Sequence, residues 1–348
     1  MKERKMIYKI PKPISGGLIL SYKCNARCRH CMYACSPKWS HDWPSEKELT
    51  TILAQLAKYI RPSPYGPELV SVNHGLHFTG GEPFMNFNLL CQAVEIAHAL
   101  GIPSLFVETN CFWCVNDEIT KEKLQILKAK GLHGILISVN PFYLEFIPFE
   151  RTERGINIAA EIFGRNLMVY QLEYYRRFKK YGITGRVKFQ NYLRLEKEED
   201  VFRSVEFFLM GRASYDLEAT LERYFAKFPA NAFFEQPCSP PLLRNWHNHF
   251  DNYGNFIPGY CGGISLGDCR DLQHLLTDGI DVDEYPVLKF LFEDDFEGFF
   301  RFAEDFGYRA LPGGYFTKCH LCTDIRKYLV MKHDFGELRP KEFYEHLP

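Results

Sequence analysis

No apolar run in the 348-residue chain approaches the roughly 20 residues that a helix needs to cross a bilayer. A spanning helix is therefore not expected. The chain also lacks a strongly basic block. Its formal net charge is −1, which argues against a broad electrostatic footprint for nucleic acid. No small-residue cleavage site follows the basic start: the apolar stretch from Ile14 to Leu20 is short, interrupted by Gly16 and Gly17, and runs into Lys23 and Cys24. That is a poor signal peptide, and the expected location is the cytoplasm. Long repeats and low-complexity tracts are missing as well.

What remains is an ordinary globular balance, 46% hydrophobic and 24% charged, with a high aromatic share of 16% from 30 Phe and 20 Tyr. Such a chain buries a thick core or walls a cavity with rings. Its twelve cysteines matter more. Inside a cell thiols stay reduced, so spaced clusters point to metal binding or catalysis rather than disulfides.

Short β-like runs alternate with helical ones through most of the first two-thirds. Strands are predicted at Leu18–Leu20, Leu76–Phe78, Ser104–Val107, Ile135–Ile137 and Arg186–Leu193. Helices are predicted over 45–60, 88–100, 117–130, 155–163, 167–180 and 198–209. The first opens on a Ser45/Glu48 capping box, and Gly101 and Gly131 read as helix stops. Repeated β–α units mean a parallel sheet, open or curled into a barrel. After Ala230 the texture changes: Pro237, Pro240 and Pro241 interrupt it and glycines crowd between Gly254 and Gly267. The expected domains are 1–230 and 231–348, the second with helical stretches over 287–307 and 324–331.

Cys24-Asn-Ala-Arg-Cys28-Arg-His-Cys31 follows the first predicted strand. Ligands of parallel α/β folds gather at the carboxyl ends of strands. Three thiolates on one short loop leave a four-iron cluster one ligand short, the arrangement of an open rather than a closed metal site. The alternative is a zinc site completed by Cys35 or a histidine. Gly80-Gly81-Glu82-Pro83 follows the second predicted strand and by itself could be a plain tight turn.

Taken in order, Cx3Cx2C and Gly80-Gly81-Glu82-Pro83 resemble the two signatures of the radical S-adenosylmethionine (SAM) superfamily. The resemblance implies a partial (β/α)6 TIM-like barrel. In it Cys24, Cys28 and Cys31 would hold a [4Fe-4S] cluster whose open iron chelates SAM. It also implies SAM contacts from Gly80, Gly81, Glu82 and Pro83, from the ring of His30, and from Thr109, Asn110 and Ser138 at later strand ends. The two glycines would let the backbone approach the methionine moiety. Gly211-Arg212-Ala213 is similar to a segment near the family's last barrel strand.

A second constellation comprises Cys238, Cys261 after the turn at Gly254, and Cys319-His-Leu-Cys322. It resembles the auxiliary iron–sulfur extension of these enzymes, the SPASM domain or its shorter twitch form. Four thiolates suit one closed auxiliary [4Fe-4S] cluster; Cys269 rivals Cys238 as the fourth ligand, and zinc is the alternative metal. Cys111 and Cys114 read as packed thiols before a redox pair, and Cys91 as core. His247 and His249 read as solvent-facing or hydrogen-bonded. Glu108, Asp251 and Asp268 are candidates to take a proton from substrate, each with a turn or loop role as the plainer reading.

The function so implied is reductive cleavage of SAM to a 5′-deoxyadenosyl radical that abstracts hydrogen from substrate, for oxidative modification of a peptide or protein. The rival is dehydrogenation of a small polar metabolite. An electron donor such as flavodoxin or ferredoxin is an implied partner. Outside enzymes, the alternative is a zinc-stabilised binding or scaffold protein.

Overall fold

The computed structural model describes residues 5–40, 43–196, 201–202 and 207–348. Its strands in chain order are β1 (Ile7–Tyr8), β2 (Ser15–Ser21), β3 (Gly75–Gly80), β4 (Phe106–Thr109), β5 (Gly134–Ser138), β6 (Leu167–Tyr170), β7 (Asn248–Asp251), β8 (Phe256–Ile257) and β9 (Ile280–Asp281). The chain divides into two bodies. The first comprises Ile14–Cys28 and Cys35–Phe207; the second takes the segment up to Pro13, Arg29–Ala34 and Phe208–Pro348.

In the first body β2 to β6 pair in parallel, each beside its neighbour in sequence. Helices α1 (Glu46–Leu56), α2 (Phe87–Ala99), α3 (Asp117–Ala129), α4 (Pro141–Leu144) and α5 (Phe149–Phe163) fill the crossovers, and α6 (Leu172–Lys180) follows β6. This is an α/β fold with the strand succession of a partial TIM-like barrel. The Ser45/Glu48 capping box starts α1, which buries Leu49, Ile52, Leu53 and Leu56. Asn116 caps α3 by accepting the Ile119 N–H.

Register sorts the side chains into two faces, because strand residues alternate sides. Leu18, Leu76, Phe78, Val107, Ile135 and Ile137 share one face and are buried. The other face carries His77, Thr79, Glu108 and Ser138. One face is thus apolar up to Thr109 at the end of β4, and the other carries a polar lane.

Two elements differ from their expected type. The helix expected over 167–180 begins as strand β6, with α6 starting only at Leu172. Leu-Met-Val-Tyr is a short apolar run that fits strand or helix equally well, and pairing to β5 decides it. The strand expected at Arg186–Leu193 is instead a helical turn, Phe189–Tyr192, whose aromatics are buried. The helix expected over 198–209 lies largely outside the described residues, with Val201 and Phe202 helical.

In the second body β7 and β8 form an antiparallel hairpin, and β1 pairs with β9. Helices span Pro286–Phe292, Phe296–Asp305 and Lys318–Val330. Much of the Phe content goes here: Phe290, Phe299, Phe302, Phe306 and Phe335 meet ring to ring. Among the described residues no helix is long and apolar enough to cross a membrane.

Candidate functional site: two cysteine sites and a strand-end network

Cys24 and Cys28 sit just beyond the end of β2, each 5% exposed. The loop is fixed by its own backbone: the Cys24 N–H donates to Ser36 O and the Ser36 N–H to Tyr22 O. The Ala26 N–H points at the Cys24 sulfur, 3.4 Å away.

The Gly80–Pro83 segment runs alongside. The Gly81 N–H donates to Ser21 O at 2.7 Å and the Glu82 N–H to Lys23 O at 3.2 Å, so the two motif loops continue the pairing of β2 with β3. A Cβ on Gly81 would stand 1.8 Å from Lys23 O, and one on Gly80 2.3 Å from Ser21 O. Glycine is therefore required at both positions by the close approach of this segment to the chain's own cysteine loop. Pro83 is buried in the first turn of a short 3-10 helix.

Glu82 is 1% exposed. Its Oε1 accepts from the Thr109 hydroxyl at 2.9 Å and the Phe84 N–H at 3.2 Å, and its Oε2 from the Asn110 N–H at 2.7 Å. Burial pushes its carboxyl up to about 7, although these donors pull the other way. Thr109 Oγ1 also accepts from the Cys111 N–H and the Trp113 indole N–H. That hydroxyl is fully employed, on the apolar side of the sheet. Asn110 reaches back to the cysteine loop: its Nδ2 donates to Asn25 Oδ1 at 3.0 Å and lies 3.9 Å from the Cys24 sulfur. Ser138 ends β5 on the polar face.

Trp113 belongs to this network, and sequence reasoning passed over it. It is 5% exposed and stacks on Phe84 at 3.9 Å between ring centroids. The only hint was a tryptophan between two cysteines. Cys111 and Cys114 are fully buried and burial pushes the Cys111 thiol well up, which suits packing rather than reactivity.

On the polar face Glu108 accepts from the Thr79 hydroxyl at 2.6 Å, and His77 Nε2 lies 3.5 Å from its other oxygen. Burial pushes its carboxyl up to about 7. The other two acid candidates are turn residues. Asp251 accepts from the Tyr253 N–H, the Asn255 N–H and Asn255 Nδ2; Asp268 pairs with Arg270 at 2.8 Å and caps a 3-10 turn.

Cys31 and His30 belong to the second body. The Arg212 N–H donates to Cys31 O at 3.1 Å, and a Cβ on Gly211 would meet Met32 O at 2.4 Å, so the Gly211-Arg212-Ala213 segment clasps the end of the cysteine motif. Desolvation, then the Arg212 charge, pushes the His30 ring down to about 3 and keeps it neutral. His247 and His249 are buried, and His249 Nδ1 lies 2.9 Å from both the Tyr33 hydroxyl and Gly259 O.

Cys238, Cys261, Cys319 and Cys322 all line one cavity of about 120 Å³. Cys269 is not among its lining residues and sits fully buried beside Asp251 and Asp268. Burial pushes the thiols of Cys238 and Cys261 up to about 12, reinforced by the neighbouring Cys322 and Cys319 respectively. Cys319 stands in the first turn of the helix Lys318–Val330, which Thr317 caps, and Cys322 follows in the next; burial pushes the Cys319 thiol up. Two supporting residues carried no sequence signal. Asp294 holds the Cys238 segment by accepting the Cys238 and Ser239 N–H groups at 2.5 and 2.7 Å, and Arg326 lines the cavity.

No protein-family model matches the chain, and no curated protein does. Solved structures do. Native anSMEcpe with bound AdoMet is 13% identical over 78% of this chain and 82% of that chain, with a TM-score of 0.44. BtrN in complex with AdoMet and 2-DOIA is 12% identical over 83% and 90%, with a TM-score of 0.44. Streptococcus suis SuiB bound to precursor peptide SuiA is 13% identical over 87% and 68%, with a TM-score of 0.30.

Proposed function

We propose that this protein is a radical SAM enzyme with one auxiliary iron–sulfur centre, acting by oxidative modification of a peptide or protein. The observation that carries the reading is the pair of motif loops at the ends of adjacent strands, joined backbone to backbone from Ser21 to Gly81 and from Lys23 to Glu82. When bound, the cluster and SAM supply a 5′-deoxyadenosyl radical that takes a hydrogen atom from substrate.

The chemistry of the residues suits both groups. By the motif they form in sequence, Cys24, Cys28 and Cys31 would offer three soft sulfur donors and leave one metal position open. Glu82, Thr109 and Asn110 fix the loop that carries Cys24. His30 offers a neutral ring, and Ser138 a hydroxyl at a strand end. Cys238, Cys261, Cys319 and Cys322 offer four sulfurs around a cavity of about 120 Å³. The choice of a cluster over zinc follows from the resemblance to the auxiliary iron–sulfur extension. Glu108 is the group proposed to accept the proton that leaves substrate on oxidation, held by Thr79 at one oxygen. A peptide or protein substrate follows from the resemblance to SPASM and twitch enzymes.

The test is anaerobic purification of the full chain, with iron and sulfide assays and detection of 5′-deoxyadenosine after reduction with SAM. Brown protein that releases deoxyadenosine supports the reading. Colourless protein rich in zinc overturns it. Mass spectrometry of candidate peptides after turnover with labelled SAM then separates peptide modification from oxidation of a small metabolite.

A further inference from the structure

We infer that Arg326 is the buried counter-charge of the four-cysteine centre, a positioning residue that sets how readily that centre takes up an electron. The inference rests on the proposed iron–sulfur reading of this cavity. Arg326 is 4% exposed and lines the cavity with Cys238, Cys261, Cys319 and Cys322. It lies seven residues after Cys319 and four after Cys322 in one helix, a spacing that puts all three on one side.

Its hydrogen-bond partners are neutral. Nη1 donates to Gly262 O at 2.9 Å and to the Tyr344 hydroxyl at 2.8 Å, and Nη2 to Thr323 Oγ1 at 3.3 Å. Nε is buried with no acceptor. No ion pair joins Arg326 to a carboxylate among the described residues. A guanidinium cannot shed its proton, and burying an unpaired charge is costly. The anionic partners within reach are the cysteine sulfurs once metal has taken their protons. Burial opposes the charge on Arg326, yet the Tyr344 phenol and the sulfurs of Cys322 and Cys261 hold its pKa above the ordinary arginine value.

Of the other two cations of the cavity wall, Arg244 is engaged elsewhere, and Lys318, less buried than Arg326, hydrogen-bonds the Cys238 thiol from the wall. The Arg244 guanidinium stacks on the rings of Trp246 and Tyr260, at 4.5 and 4.4 Å. Lys318 donates to the carbonyls of Gln236 and Pro237. Reduction adds a negative charge to a centre already rich in thiolate. A fixed cation beside it stabilises the reduced form and raises the potential.

The experiment uses full-length chain carrying C24A, C28A and C31A, so that the only iron left is in the C-terminal cavity. The potential of that centre is followed by electron paramagnetic resonance during anaerobic reductive titration, with and without R326Q or R326K. The expected result is a more negative potential in R326Q and a value close to the parent in R326K. An unchanged potential in R326Q overturns the inference. Should R326Q lose its iron, full retention in R326K supports the counter-charge, and equal loss in both overturns it. A parent that binds no iron overturns instead the iron–sulfur reading of the cavity, and the inference with it.

Discussion

The N–H of Asn110 reaches Oε2 of Glu82 at 2.7 Å, and through this bond the end of β4 is fastened to the end of β3. Asn110 in turn approaches the Cys24 sulfur at 3.9 Å. Glu82 thus governs the cysteine loop at one remove. In E82Q an amide nitrogen replaces one oxygen and meets a donor with a donor. Leaving one buried N–H unsatisfied costs about 1–3 kcal/mol. Thermal denaturation of E82Q should show a lower Tm, together with reduced iron at the N-terminal centre. An unchanged Tm and full iron content would show that the carboxylate does not hold the strand ends together.

Gly81 and Gly101 make a controlled pair. A Cβ at 81 would lie 1.8 Å from Lys23 O, a backbone atom that cannot step aside, whereas a Cβ at 101 meets nothing within 4 Å. Gly101 has φ +71°, so alanine there carries only left-handed strain, of order 1 kcal/mol. G81A should lose iron from the N-terminal centre and G101A should keep it. Equal iron contents would mean that the close approach of the two motif loops is dispensable.

Much of this network was legible because both motifs announce themselves by residue type. Cysteine spacing named Cys24, Cys28 and Cys31, and Gly80–Pro83 marked the next strand end. Alternation and capping signals found β2 to β5 and α1 to α3 within a few residues. What failed had weak local signals. Leu167–Tyr170 is an apolar run that only pairing with β5 makes a strand. Phe189–Tyr192 is aromatic and β-favouring by composition, yet tertiary burial holds it as a helical turn. Glu82 is marked by its motif, but no local signal shows that its carboxylate accepts from Thr109, Asn110 and Phe84, partners up to 28 residues away in sequence. Arg326 and Asp294 lie outside every motif, and only folding brings them to the cysteines.

Glu108 gives two pH dependences of opposite sign. Its carboxyl is pushed up to about 7 by burial, so between the ordinary glutamate range and about 7 the folded chain binds more protons than the unfolded one. Stability from this group is therefore present at low pH and falls as pH rises through that window. A base must be ionised, so product formation should instead rise toward and above pH 7. E108Q should flatten the first trend. It should cut product formation about 10²-fold or more while 5′-deoxyadenosine is still released. Normal product yield in E108Q would remove Glu108 from proton transfer.

Gly155 lies in the interior of α5, where glycine costs about 1 kcal/mol relative to alanine. On propensity alone G155A should stabilise. The packing predicts the reverse, because a Cβ there would lie 2.7 Å from the Cys111 sulfur and 3.2 Å from the Cys114 sulfur. Those thiols have no free room, since both are fully buried. The Cys111 Cβ would be an ordinary 3.6 Å away, so C111A should relieve the tighter of the two contacts. G155A is thus expected to lower Tm, and G155A/C111A to be more stable than the sum of the single effects, a positive coupling measurable in a double-mutant cycle. If Cys111 and Cys114 only fill space, C111A/C114A should also keep its deoxyadenosine output. Loss of that output with an intact fold would make them the redox pair after all.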